Sequence, residues 1–215
     1  MKTFKQFFTE QSESKIVVIF PGRFQPFHIG HKKLYDLAKS KFPNADFYIT
    51  TANPTAQQIA QEPDRYPFTF EEKSKIIQAT GIPLDEIIQT STPYIPKDLL
   101  SKYNPETDKV VFLVGEKDMK EDPRFGFKPL KSGKPSYYQP LQNVEEMVSF
   151  KDHGYIYAPS TITFVVNGKT IKSASELRNM FATGEEQVRK DIVTALVGKY
   201  NPEVYKILSS KLTKA

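Results

Sequence analysis

Two hydrophobic rhythms divide this chain. Residues 15–20 (KIVVIF) and 109–114 (KVVFLV) are unbroken apolar runs rich in β-branched side chains, the pattern of strands buried on both faces of a parallel sheet. Shorter runs at 46–50 (DFYIT), 86–90 (EIIQT) and 154–158 (GYIYA) predict three more strands. Between them the apolar positions take helical spacing, with Leu34, Leu37 and Ala38 in 31–41 and Ile76 and Ile77 in 69–81. The second of these helices is well signalled, because Thr69 and Glu72 form a capping box and Gly81 supplies a stop. A short helix is expected over 96–103, with Pro96 in its first turn. Residues 53–66 read as a polar loop with room for one short helix.

Further along, runs at 161–166 and 169–171 flank Asn167-Gly168, a strong two-residue hairpin signal. Ser173 with Glu176 predicts a second capping box and a helix ending near Gly184, and helices are expected over 185–197 and 202–212. Residues 115–150 are rich in Lys, Pro and aromatics with weak periodicity, long for a loop, and suggest a lid-like insertion. Residues 1–14, with Phe4, Phe7 and Phe8 at helical spacing, read either as a short amphipathic helix or as a loosely attached arm. The expected organisation is an arm (1–14), an α/β domain (15–184, with 115–150 inserted) and C-terminal helices (185–215). Alternating strands and helices predict a doubly wound parallel sheet with right-handed crossovers. Its ligand should sit beyond the carboxyl ends of the strands, where strand order reverses.

Composition narrows the chemistry. The 215 residues contain no Cys, which removes disulfides, thiolate metal sites and Cys nucleophiles. No apolar run approaches the ~20 residues of a membrane helix, and the N-terminus lacks a secretion signal, so a cytoplasmic location without membrane partners is expected. A net charge of +5 suits a protein that handles phosphates. Lys and Arg form no block and no nucleic-acid-binding signature appears, so nucleic acid is not required. A homo-oligomer is compatible with the sequence.

The decisive stretch is Gly22-Arg23-Phe24-Gln25-Pro26-Phe27-His28-Ile29-Gly30-His31, between a buried strand and a helix. A helix N-terminus there offers unpaired N–H groups and a positive dipole end to an anion. Gly22 permits a close backbone approach. Gly30 keeps a side chain out of the ligand's way. His28 and His31, three apart, can direct both imidazoles toward the strand ends and donate to triphosphate oxygens.

GRFQPFHIGH resembles the signature of the HIGH-motif nucleotidylyltransferase superfamily, and in its GRFQPFHxGH form it is most similar to nicotinamide mononucleotide adenylyltransferases. Class I aminoacyl-tRNA synthetases share the HIGH tetrapeptide but are much longer, and no KMSKS-type loop is recognisable here. Two further segments carry the likeness. Arg65-Tyr66-Pro67-Phe68-Thr69-Phe70-Glu71-Glu72-Lys73 resembles the family's R-x-P-F-T-x-x-E-R block, with Lys73 in place of its closing Arg. Lys172-Ser173-Ala174-Ser175-Glu176-Leu177-Arg178 is similar to its ISSTxxR motif, with Lys172 for the usual Ile and Ser175 for the usual Thr. Ser173 is also a natural N-cap.

The resemblance implies a Rossmann-like fold of the HIGH type and a defined division of labour. His28, His31, Arg178, Arg65 and Arg23 form the catalytic set. Gly22, Phe24, Gln25, Gly30, Gly115, Asp118, Ser173 and Ser175 form the nucleotide-binding set, with Gly115 and Asp118 near the nucleobase. Mg²⁺ would be held by substrate and water, with no protein metal cage. The implied reaction is adenylyl transfer from ATP to nicotinamide mononucleotide, giving NAD and pyrophosphate. Cytidylyl transfer from CTP, or another adenylyl transfer, is the near alternative. A non-catalytic nucleotide-binding or assembly protein is the alternative of another class. The opening MKTFKQFFTE faintly resembles N-termini of tailed-phage proteins, which makes a phage-encoded gene one expected source.

Overall fold

The computed structural model describes residues 14–121, 125–160 and 163–213. The expectations for the N-terminal arm lie outside these residues, apart from Ser14, as does the start of the run at 161–166. Six parallel strands form the main sheet: β1 (Ile16–Pro21), β2 (Asp46–Thr51), β3 (Ile87–Gln89), β4 (Lys109–Leu113), β5 (Tyr138–Pro140) and β6 (Gly154–Tyr157). Their order is β3-β2-β1-β4-β6-β5, so the chain winds outward from β1 in one direction and then reverses at the β1/β4 junction. β1 is held on both sides, pairing Val18 with Phe47 and with Val111. Val17, Val18 and Ile19 are almost wholly buried, which explains why KIVVIF lacks polar alternation.

Helices cover both faces. α1 (Ile29–Lys41) follows β1, α2 (Ala56–Gln61) and α3 (Phe70–Gln78) follow β2, and α4 (Lys97–Leu100) follows β3. α5 (Glu116–Glu121) follows β4, and α6 (Ala174–Thr183), α7 (Glu186–Val197) and α8 (Pro202–Leu212) end the chain. The larger core, under α1, α3 and α6–α8, includes Phe27, Phe68, Ile76, Phe181 and Leu196. The smaller one, on the opposite face, centres on Val110, Phe112, Leu99 and Phe125. No helix among the described residues is long and apolar enough to cross a membrane.

Four expectations change in detail. α1 opens two residues earlier than its apolar spacing suggests, because the His28 side chain caps it. The helix expected over 96–103 is a single turn. The aperiodic stretch 115–150 contributes α5 and also β5, a short edge strand paired with β6. Three residues are too few for periodicity to reveal. The second capping box is half formed: Ser173 Oγ accepts from Glu176 N–H at 3.1 Å, but the Glu176 carboxylate takes the Lys172 N–H at 2.9 Å and Lys169 at 3.0 Å instead. The box at Thr69–Glu72 is complete.

The hairpin appears as β7 (Phe164–Val166) and β8 (Lys169–Ile171), antiparallel and separate from the main sheet. Its turn has φ +48° at Asn167 and +77° at Gly168, the left-handed pair such a two-residue loop needs.

Candidate functional site

Where strand order reverses, the carboxyl ends of β1 and β4 diverge and open a cavity of about 580 Å³. One wall is the β1–α1 loop from Pro21 to Pro26, and the opposite wall is Ser173, Ala174, Ser175 and Arg178 of α6. His31 lies on it, Arg65 and Asp64 sit at its edge, and Val114, Gly115, Met119 and Tyr94 supply an apolar flank.

The loop's shape follows from its residues. Phe24 has φ +46°, a conformation costly for a side-chain-bearing residue, and its ring folds back over Gly22. A Cβ on Gly22 would stand 2.5 Å from that ring, so a glycine is required there for a steric reason internal to the loop. Gln25 is buried and spends its amide on one peptide, donating to the Phe68 carbonyl and accepting from the Phe68 N–H, both at 3.0 Å. This stitches the β1–α1 loop to the Arg65–Lys73 block.

The two histidines are fixed by local bonds. His28 Nδ1 accepts the Gly30 N–H at 3.1 Å, and His31 Nδ1 accepts the His28 N–H at 3.2 Å. An imidazole nitrogen that accepts carries no proton, so both neutral rings are Nε2–H tautomers with that N–H left to donate. The rings are stacked, 3.7 Å apart at 24°. Burial pushes the His28 pKa down to about 4. Burial, and then the neighbouring His28, hold His31 well below the usual histidine range.

A stability prediction follows. The unfolded chain protonates His28 near 6.5, whereas the folded chain resists until about 4. The unfolded state therefore binds more protons in that window. The contribution to stability is intact above about pH 6.5 and is lost as pH falls toward 4, by up to about 3 kcal/mol. Urea midpoints measured from pH 4 to 7 should fall more steeply for the native sequence than for His28→Asn.

Arg178 joins the two walls. Its guanidinium donates to the Gln25 carbonyl at 2.7 Å and to Ser175 Oγ at 3.0 Å. That uses two of its five N–H groups and leaves the rest for a ligand. Burial lowers its pKa, Asp64 opposes the shift and Arg23 adds to it, yet an Arg stays charged throughout. Arg65 is exposed and paired with Glu62 at 2.9 Å. Arg23 is exposed on the loop, and no side-chain partner for it is found among the described residues.

The expected residues thus fall into three groups. Gly22, Arg23, Phe24, Gln25, His31, Arg65, Gly115, Ser173, Ser175 and Arg178 all line the cavity. His28 and Gly30 do not; His28 lies behind His31, and Gly30 is buried at the helix start, bonded to His28. Asp118 falls in α5, with its side chain outside the described residues.

Lys73 stands where the resembling block carries its closing Arg. It is in fact fully buried, and its ammonium donates to Thr51 Oγ1 at 2.7 Å, to the Arg23 carbonyl at 3.3 Å and to the Ala52 carbonyl. Burial pulls its pKa down to about 8. It borders a second cavity of about 200 Å³, shared with Asn53, Gln58, Tyr66, Ser91 and Tyr94 and adjoining the first at Gly22, Arg23 and Gln25. Lys73→Met leaves the Ala52 carbonyl without its donor, while Thr51 Oγ1 still bonds the Arg23 carbonyl, and should lower unfolding free energy by about 1–3 kcal/mol, read from the urea midpoint.

A family model described as cytidylyltransferase-like matches residues 19–135, just over half of the chain. The match contains the β1–α1 loop, Arg65 and Lys73, and it ends before α6. Among curated proteins none matches the sequence. The HxGH loop after the first strand of a doubly wound sheet, the cavity at the strand-order reversal and the family match agree: the chain belongs to the cytidylyltransferase-like family, within the HIGH-type nucleotidyltransferase superfamily.

Proposed function

We propose that this protein is a nucleotidylyltransferase that moves the adenylyl group of ATP to nicotinamide mononucleotide, forming NAD and releasing pyrophosphate. One observation carries the transferase reading: Arg178 and the N-terminus of α6 face the same cavity as His31, across the β1–α1 loop. An acceptor phosphate oxygen attacks the α-phosphorus in line as the bond to the β-phosphate breaks. No protein nucleophile is needed, so the protein's task is to position two anions and to neutralise charge growing on the equatorial and leaving oxygens.

In this reading the neutral His31 donates Nε2–H to the triphosphate near the α-phosphate, and His28 supports it. Ser173, Ser175 and the N–H groups opening α6, a ten-residue helix, receive the β- and γ-phosphates with Arg178. Arg23 and Arg65 draw in the acceptor phosphate, and the smaller cavity beside Arg23 has room for the rest of the acceptor. Tyr94, Val114 and Met119 give the nucleoside an apolar seat, beside the backbone of Gly115.

No group of three or more His, Cys, Asp or Glu suited to a metal occurs among the described residues, and Asp64 is the one carboxylate on the cavity wall. Mg²⁺ would arrive with the triphosphate, which with water would supply most of its ligands.

The description of the matching family favours a second reading, cytidylyl transfer from CTP. A matrix of ATP and CTP against nicotinamide mononucleotide and other phosphorylated acceptors, scored by pyrophosphate release, separates the two. Release with ATP and nicotinamide mononucleotide supports the first reading, and release with CTP alone replaces it with the second. Triphosphate binding without release from any pair would point to a non-catalytic nucleotide-binding protein.

A further inference from the structure

The ring pile at the start of α1 does not end at the two histidines. Phe164, on β7, lies flat on His28 with centroids 4.7 Å apart and planes 15° from parallel. His28 in turn lies on His31 at 3.7 Å and 24°. The His31 edge is closed by Phe24 and Phe27, whose centroids stand 5.2 and 5.1 Å away. His31 therefore has its backbone-facing nitrogen bonded, one face covered by His28 and its flanks set by phenylalanines.

We propose that Phe164 is a positioning residue: its flat face holds the His28–His31 pair in the one orientation in which the backbone N–H groups reach their Nδ1 atoms. This builds on the transferase reading only in assigning the pair its use.

Several features support the assignment. Phe164 comes from a separate two-stranded hairpin, and the main sheet would be complete without it. It is buried, although the residue that follows it on the hairpin, Val165, is exposed. Residues two apart on a strand share a face, so Phe164 and the buried Val166 both point inward. β8 leads within two residues to Ser173, the cap of α6. One short hairpin thus bears on the histidines with its first residue and delivers the phosphate-facing helix with its last. An imidazole edge free to rotate would lose its aim, and aim is what a preorganised donor contributes.

The test needs no ligand. Long-range ¹H–¹⁵N spectra of the whole chain report the tautomer and titration of His28 and His31. In the native sequence both His28 and His31 should read as Nε2–H, and the His28 carbon-bound ring protons should be shifted upfield by the stacked ring. Phe164→Leu keeps apolar bulk but removes the flat face. It should reduce that upfield shift to the part the stacked His31 ring supplies, loosen the His28 bond to the Gly30 N–H so that its tautomers mix, and move its titration up toward the ordinary histidine range. Phe164→Tyr, which retains the face, should resemble the native chain. Val166→Ala trims the buried neighbour on the same face of the hairpin but keeps the flat ring, and should disturb the histidine signals far less than Phe164→Leu.

Turnover gives the second readout: Phe164→Leu should lower kcat by about 10–100-fold with KM little changed, the mark of a misaimed transition-state donor. A native spectrum without the upfield shift overturns the proposal, as does a Phe164→Leu spectrum like the native one or an equal disturbance from Val166→Ala. The expected spectra in a chain that releases no pyrophosphate from any substrate pair uphold the stack and overturn the transferase reading instead.

Discussion

His31→Ala should reduce kcat by about 10²–10³-fold, the usual cost of deleting one preorganised donor to a charge that grows in the transition state. His31 is placed to be that donor: it lines the cavity, and its Nδ1 is occupied by the His28 N–H, leaving Nε2–H as its outward-bonding atom. KM for the triphosphate should change far less than kcat, because a donor aimed at developing charge contributes little to ground-state binding. The rate should also lack an acid limb near the ordinary histidine pKa, since burial keeps His31 neutral well below it. Pyrophosphate release followed from pH 5 to 8 checks both statements. Circular dichroism establishes that the variant remains folded. A folded His31→Ala protein with near-native turnover would refute the assigned role.

Arg178→Ala should be comparably severe and should affect stability as well. The guanidinium is buried, and its removal leaves the Gln25 carbonyl without its 2.7 Å donor. An unpaired buried acceptor costs about 1–3 kcal/mol. On the proposed reading Arg178 faces the leaving pyrophosphate, and loss of its charge should add a fall in kcat/KM of about 10²–10³-fold. Arg178→Lys should recover part of the charge and little of the activity. A single ammonium cannot reach Gln25 and Ser175 along a planar fork while still presenting donors to a phosphate. Retention of more than about a tenth of native kcat/KM by the Lys variant would show that point charge suffices and would argue against the forked geometry.

Much of the architecture was written in local pattern. KIVVIF and KVVFLV read as doubly buried strands because they are the two central strands, flanked by sheet on each side and by helices above and below. Asn167-Gly168 read as a hairpin because its positive φ values suit few other residue pairs. The two elements that wall the cavity were legible through the HxGH spacing and through Ser173, whose capping role is local.

What stayed hidden depends on contacts distant in sequence. β5 is only three residues long and is specified by its pairing with β6. Lys73 replaces the closing Arg of the resembling block; its partners are oxygens of Thr51, Ala52 and Arg23, brought to it by the end of β2 and the β1–α1 loop. Phe164 gives no signal at all, since its partner lies far back in the chain, at the start of α1. His28 illustrates the converse: spacing placed it correctly at the helix start, but its neighbours decide that it backs the cavity wall.

The bond from Arg178 to the Gln25 carbonyl spans 153 positions of sequence. On a ribosome, where synthesis runs N-terminus first, the β1–α1 loop and all six strands of the sheet are made before the residue that closes the pocket over them. A chain ended before α6 lacks Ser173, Ser175 and Arg178, and with them one whole wall of the cavity.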